Sequence, residues 1–385
     1  MNSELASLFK DTQKNPYVTY GIFGNPFPTN ATESYEVCYN QEEAKQKFIQ
    51  KLVTFISEQK IETFLITAEH RVGKTNFLLH YYYELRSIPE LRNKTFKYIY
   101  TREYGDNYLI FHKSIIETLG ENFFINLLNR LKDDKSVLDE IPETDFKKGL
   151  NKCIEVSTLS SGLDINKISL FFEWFAGVKF PQRGLRDIGV FSNIATSSVA
   201  IRYFKDLIKV SRRLGIITGL IIFIDEFELI FGESVSRAKR DKYLQDIRSL
   251  IDEIQTGLFI VCAITPDKLI ELSKNYQALR ARLGESVSLS PIRNFDEAHA
   301  YAFEYIKAAT KKYQDESKDK ATKFKNIIEK DEIRKIYTEL AGPEEFIPFE
   351  KLSSTPIHLI QGFVVQGFFF DKLHNLIEAK IEKGK

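Results

Sequence analysis

The stretch "LITAEHRVGKTNFLLHYY", Leu65 to Tyr82, decides the fold. The short apolar run "TFLITA" (Thr63–Ala68) suits a buried parallel strand. A polar bend follows and ends in Gly73-Lys74-Thr75, and a helical run starts near Lys74. Strand, bend and helix in this order let backbone N–H groups and the positive end of a helix hold phosphates. The bend fits A-x-x-x-x-G-K-T, so Ala68, Glu69, His70, Arg71, Val72, Gly73, Lys74, Thr75 and Asn76 form the expected cradle of a nucleotide. Lys74 would reach the β- and γ-phosphates of ATP, and the Thr75 hydroxyl would hold Mg2+. Ala68 stands where such loops carry a glycine, so the loop closes only if that residue sits at negative φ. Arg71 and Val72 are bulky for the positions and stiffen the loop. A chance Gly-Lys-Thr is the alternative, and the flanking strand and helix argue against it.

Outward from this stretch, apolar runs recur with polar ends. "TFKYIYTR" (Thr95–Arg102) is a second strand, "GLIIFIDEFE" (Gly219–Glu228) a third, "LFIVCAITP" a fourth ending at Pro266, and "ESVSLSP" a fifth. Helical stripes lie between them. One has Ala44, Phe48, Leu52, Val53 and Ile56 behind an Asn40–Glu43 cap signal. Another is "SVAIRYFKDLIKVSRRLG", with Gly215 as its stop, and a third is "KRDKYLQDIRSLIDEIQTG". Between 104 and 197 the run "YLIFHKSIIETLGENFFINLLNRLK" reads as a helix followed by a weaker one, forming an insertion. After Pro291 the chain reads as helical to its end. Strand–helix alternation of this kind predicts an α/β fold: a P-loop NTPase parallel sheet flanked by helices, with a C-terminal all-helical lid. The expected division is an arm and helix over 1–60, an ATPase core over 61–293 with its insertion, and a helical lid over 294–385.

Asp225 and Glu226 end an apolar strand that has no need of charge. Asp225 supporting Mg2+ and Glu226 polarising the attacking water is the chemical reading; a solvated strand end is the other. Thr265 ends the next strand, where it either orients that water or simply terminates the strand. Arg280 and Arg282 precede the fifth strand. One of them, Arg282 preferred, can project into a neighbouring subunit's γ-phosphate; a surface salt bridge is the plain alternative.

Composition narrows the partners. The 385 residues are 43% hydrophobic and 28% charged, ordinary for a globular protein. Lys+Arg (54) and Asp+Glu (53) nearly cancel, which excludes a strongly basic surface overall. A local cluster, Arg237, Lys239, Arg240 and Lys242, could meet DNA phosphates or merely start a solvated helix. Cys38, Cys153 and Cys262 lie far apart, as expected of reduced apolar fillers in a cytoplasmic chain. The N-terminus has no signal-peptide core, and "ISLFFEWFAGVKF" is too short and charged to span a bilayer, so no membrane role is expected. Trp174 with Phe171, Phe172 and Phe175 reads as buried core in preference to a partner-binding patch.

Phosphate loop, acid-pair strand, polar strand end, arginine and helical tail, in that order, resemble the AAA+ ATPases. Within them the chain is similar to the branch of origin-recognition initiators and ExeA-type ATPases, through the arm "YGIFGNPF". The run "RRLGIITGLIIFIDEFELIF", then "LQDIRSLIDEIQTGLFIVCAITPDKL" and "YQALRARL", resembles the ATP-binding protein family of BREX phage-defence systems. The resemblance implies nucleotide binding by Lys74 and Thr75, hydrolysis by Asp225 and Glu226, and adenine packed near Pro26 and Phe27. It also implies a homo-oligomer with active sites between neighbours, and a role on DNA or on a partner protein of a multi-component system. Two departures stand out: Ala68 in the loop, and "SSTPIHLI", where Ile357 and His358 follow a proline that such lids follow with arginine.

Overall fold

The computed structural model describes residues 15–27, 29, 35–92, 96–102, 107–159, 164–317, 324–342 and 363–383. Among the described residues five strands are present: β1 (Glu62–Thr67), β2 (Phe96–Thr101), β3 (Gly219–Ile224), β4 (Leu258–Ile264) and β5 (Ser286–Ser288). They form one α/β sheet in the order β2-β3-β4-β1-β5, with the β2–β3, β3–β4 and β4–β1 pairs parallel. Every residue of β3 and β4 is buried, which is why both read as unbroken apolar runs.

Helices follow in chain order. They are α1 (Glu42–Glu58), α2 (Lys74–Ser87), α3 (Pro89–Arg92), α4 (Tyr108–Leu119), α5 (Glu121–Asp133), α6 (Asp145–Leu159), α7 (Ile165–Phe175) and α8 (Gln182–Asp187). Then come α9 (Ser197–Arg213), α10 (Arg237–Glu253), α11 (Pro266–Asn275), α12 (Gln277–Arg282), α13 (Phe295–Ser317), α14 (Lys330–Ala341) and α15 (Gln366–Lys383).

The chain divides into two compact units. One comprises residues 45–67 and 81–287 and holds the sheet through Val287. On one sheet face Phe48 of α1 meets Phe64 at 5.4 Å and Phe259 at 5.9 Å, and Phe55 one helical repeat on meets Phe259 at 5.6 Å. On the other face Ile222, Ile224, Ile260 and Cys262 join a single core with the insertion helices. Trp174, Phe171 and Phe175 are fully buried there. Burying each such ring contributes about 1.5–3 kcal/mol, so the insertion is part of this unit's core. The aromatic cluster is core, as the sequence favoured, and no patch. Burial pushes the Cys153 and Cys262 thiols up to about 12, which leaves them inert fillers.

The other unit gathers residues 1–44, 68–80 and 288–385. Its core joins Ile22 and Phe27 of the arm to α13, α14 and α15. Phe27 lies 5.6 Å from Phe370, and Tyr305 lies 4.5 Å from Phe370.

Four local expectations need correction. The run Tyr108–Lys132 is two helices, because Gly120 turns the chain at φ +76 and its N–H closes α4 on Ile116. The third strand stops at Ile224, and Phe227–Phe231 winds into a 3-10 turn behind Asp225 and Glu226. Asn40 does not cap α1: it sits at φ +58 and its amide donates to Glu297, and the helix begins at Glu42. The C-terminal region also carries one antiparallel bridge, Ile292 with Val364.

Candidate functional site

Register aligns the strand ends. Thr67 pairs with Ile264, Ile224 with Cys262, and Thr101 with Ile224. The carboxyl ends of β1, β3 and β4 therefore share one edge of the sheet. At that edge β3 passes into Asp225 and Glu226, β4 into Thr265, and β1 into the Ala68–Gly73 loop. Ligands of open parallel sheets bind outside such an edge.

Asp225 is fully buried. The Tyr100 hydroxyl donates to its Oδ2 at 2.7 Å, Arg102 Nε lies 3.3 Å from the same oxygen, and the Glu226 N–H donates to Oδ1 at 3.0 Å. Burial, and next the Asp225 carboxylate, push the Tyr100 phenol far up, so it stays a proton donor. Neither Tyr100 nor Arg102 was singled out from sequence. Their signal was the alternation of "TFKYIYTR", which puts Tyr98, Tyr100 and Arg102 on one face of β2. Tyr100→Phe should cost about 1–3 kcal/mol, because a buried carboxylate oxygen loses its neutral donor. Urea unfolding of the two proteins checks this.

Glu226 is half-buried and left-handed, at φ +55. A residue with a Cβ adopts that conformation at a cost of about 1 kcal/mol or more, and such outliers gather at functional sites. Thr265 is buried and begins α11 ahead of Pro266. Its hydroxyl bonds the Asp267 carboxyl. Burial would raise that group, yet Thr265 and the Lys268 backbone and ammonium hold it below the usual range.

The two arginines have partners within the chain. Arg280 donates to the Gly284 carbonyl, and Arg282 to Asp252 and, at 2.8 Å, to the Ala278 carbonyl. The basic cluster is matched by carboxylates: Arg237 with Asp241 at 3.7 Å, Arg240 with Glu271 at 2.7 Å, and Lys242 with Asp246.

The Gly-Lys-Thr loop belongs to the other unit. Ala68 is buried and is not among the positive-φ residues, so the closure condition set by the missing glycine is met. The left-handed turns fall on Arg71 (φ +66) and Gly73 (φ +107). Glu69 is half-buried, His70 and Arg71 are exposed, and Val72 is buried. Lys74 Nζ donates to the Ala68 carbonyl at 2.9 Å, across the mouth of the loop. Thr75 and Asn76 open α2 half-buried, and Asn76 Nδ2 is 3.5 Å from the Tyr305 hydroxyl.

Tyr305 also lines a cavity of about 190 Å³ with Asn25, Pro26, Val37, Ala308 and Ala309. Pro26 thus faces a space of nucleobase size, whereas Phe27 lies in the core with its carbonyl 2.7 Å from His374 Nδ1. Ile357 and His358 lie outside the described residues.

Thr75 and Asp225 supply hard oxygen donors of the kind Mg2+ takes. No group of three or more His, Cys, Asp or Glu suited to a metal ion occurs among the described residues. No helix among them is long and apolar enough to cross a membrane.

Among curated proteins, no sequence matches this chain. Residues 127–303, somewhat under half of it, match the model of the family described as BREX system ATP-binding protein BrxC/D. The matched span contains Asp225, Glu226, Thr265, Arg280 and Arg282 and begins after the Gly-Lys-Thr loop. Over those residues, from the insertion to the start of the C-terminal helices, the chain is similar to that family.

Proposed function

We propose that this chain is an AAA+ ATPase that binds ATP and Mg2+ and works as a homo-oligomeric switch on DNA or on a partner protein in phage defence. What carries the reading is the shared sheet edge, where β3 ends in two acids, β4 ends in Thr265 and β1 passes into the Gly-Lys-Thr loop. In this scheme Lys74 and the loop amides bind the phosphates, and Thr75 and Asp225 hold Mg2+, which neutralises phosphate charge. Glu226 polarises the attacking water and Thr265 orients it. The Pro26 cavity takes adenine. The arm, core and lid divide near residues 60 and 293.

Arg282, with Arg280 second, reaches a neighbour's γ-phosphate once it exchanges its own surface partner. An ion pair this exposed is worth under about 1 kcal/mol, so exchange is cheap. ATP turnover per chain should accordingly rise with protein concentration, and respond to duplex DNA if DNA is the target. Turnover measured over a wide concentration range tests this; a flat, buffer-level rate at every concentration sinks the hydrolytic reading.

One observation favours a second reading, a weakly hydrolysing scaffold that recruits a partner: both candidate finger arginines are engaged within their own chain. Tight ATP binding with no turnover in the same assay would establish it.

A further inference from the structure

Arg71 is the third of four residues between Ala68 and Gly73. It is left-handed, where glycine would fit without strain. Four ties bind it to the first two turns of α15. Its Nη2 pairs with Asp371 Oδ2 at 2.6 Å, and lies 3.4 Å from the Gly367 carbonyl. Its guanidinium carbon sits 4.8 Å over the Phe368 ring. Its own carbonyl accepts the Gly367 N–H at 3.0 Å. Gly367 must be glycine for this approach, since a Cβ there would fall 2.7 Å from the Arg71 Cβ. One side chain of the candidate phosphate loop is thus clasped by the helix that closes the C-terminal region.

The clasp is open to solvent: the two charged side chains are 40% and 35% exposed. A pair so exposed is worth under about 1 kcal/mol, and a nearby phosphate can outbid the carboxylate for the guanidinium. The same helix anchors the arm, since Asn25 donates to the His374 carbonyl at 3.0 Å and to Glu378 at 2.9 Å. Whatever loosens the first turn of α15 is therefore felt on the element that also holds the cavity-lining arm.

We infer that Arg71 and Asp371 form a latch between the phosphate loop and α15, which the charge of a bound nucleotide's phosphates opens by drawing the guanidinium off Asp371. The inference rests on the ATP-binding reading above. Nucleotide state is then transmitted from the loop to the C-terminal helices by the loop's own arginine.

The test uses the full chain, with affinity for ATP·Mg2+ read by displacement of a fluorescent ATP analogue. Hydrogen exchange at the Gly367 amide is followed alongside. Asp371→Asn should bind ATP about two- to fivefold tighter, since the guanidinium no longer has a carboxylate to leave. That gain should vanish in an Arg71→Gly background, and ATP should speed Gly367 exchange in the parent but not in Arg71→Gly. Equal affinities with unchanged exchange overturn the latch and leave ATP binding standing. Weaker binding in Asp371→Asn that Asp371→Glu restores also overturns it, as a purely structural contact. Absence of ATP binding in the parent and every variant overturns both the latch and the function it rests on.

Discussion

Glu226→Gln is expected to cut ATP turnover by about a hundredfold or more while leaving ATP affinity within twofold. Gln has the size and shape of Glu, so the left-handed turn at φ +55 and the 3-10 segment behind it keep their backbone contacts. The Leu229 N–H still donates to the Glu226 carbonyl at 2.9 Å. Only the negative charge and its capacity to accept a proton from water are lost. The bonds from Tyr100, Arg102 and the Glu226 N–H to Asp225 do not involve the Glu226 side chain, so they persist. Single-turnover hydrolysis beside equilibrium binding separates the two effects. A rate within twofold of the parent would remove Glu226 from the water-activating role. Loss of binding together with rate would mean that the substitution has disturbed the strand end instead.

β3 and β4 were legible because both are buried on both faces: "GLIIFI" and "LFIVCAI" admit almost no polar residue, so their polar ends stand out. The sequence could likewise show that a lysine-bearing bend follows β1, since strand, bend and helix are contiguous. It could not show what crosses between strands. Tyr100 and Arg102 serve Asp225 from a strand more than a hundred residues earlier, and pairing order is set by the packing of the whole sheet. The left-handed Arg71 was illegible for a related reason. Its backbone is held by Gly367, nearly three hundred positions away, and local propensity alone would have kept Arg out of that conformation. The break at Gly120 was written in the chain but hidden by apolar periodicity that runs through it. The insertion's aromatic run was ambiguous in isolation, since a buried helix and an exposed docking helix share the same spacing.

That last ambiguity has a measurable resolution. Trp174→Ala should destabilise the sheet-containing unit by about 3–5 kcal/mol, or roughly 10 °C in melting temperature for a unit of this size. The indole is fully buried, 5.5 Å from Phe171 and 5.9 Å from Tyr203, and its Nε1–H donates to the Ser192 carbonyl at 2.9 Å. Truncation opens a cavity that neighbouring rings, already packed against Phe146 and Phe124, cannot close without leaving their rotamers. It also leaves a carbonyl without its donor. Trp174→Phe keeps most of the volume and should lose clearly less. The chain has a single tryptophan, so in the parent a blue-shifted emission that reddens at the same denaturant concentration as the loss of helical circular dichroism reports this unit directly. An unchanged midpoint in Trp174→Ala would mean that the ring is dispensable to the core. The insertion would then be a surface element rather than part of the body that carries Asp225, Glu226 and Thr265. The expected loss, in contrast, ties the strand ends to the packing of α4–α8, because Ile222 and Ile224 lie in the same cluster as Trp174.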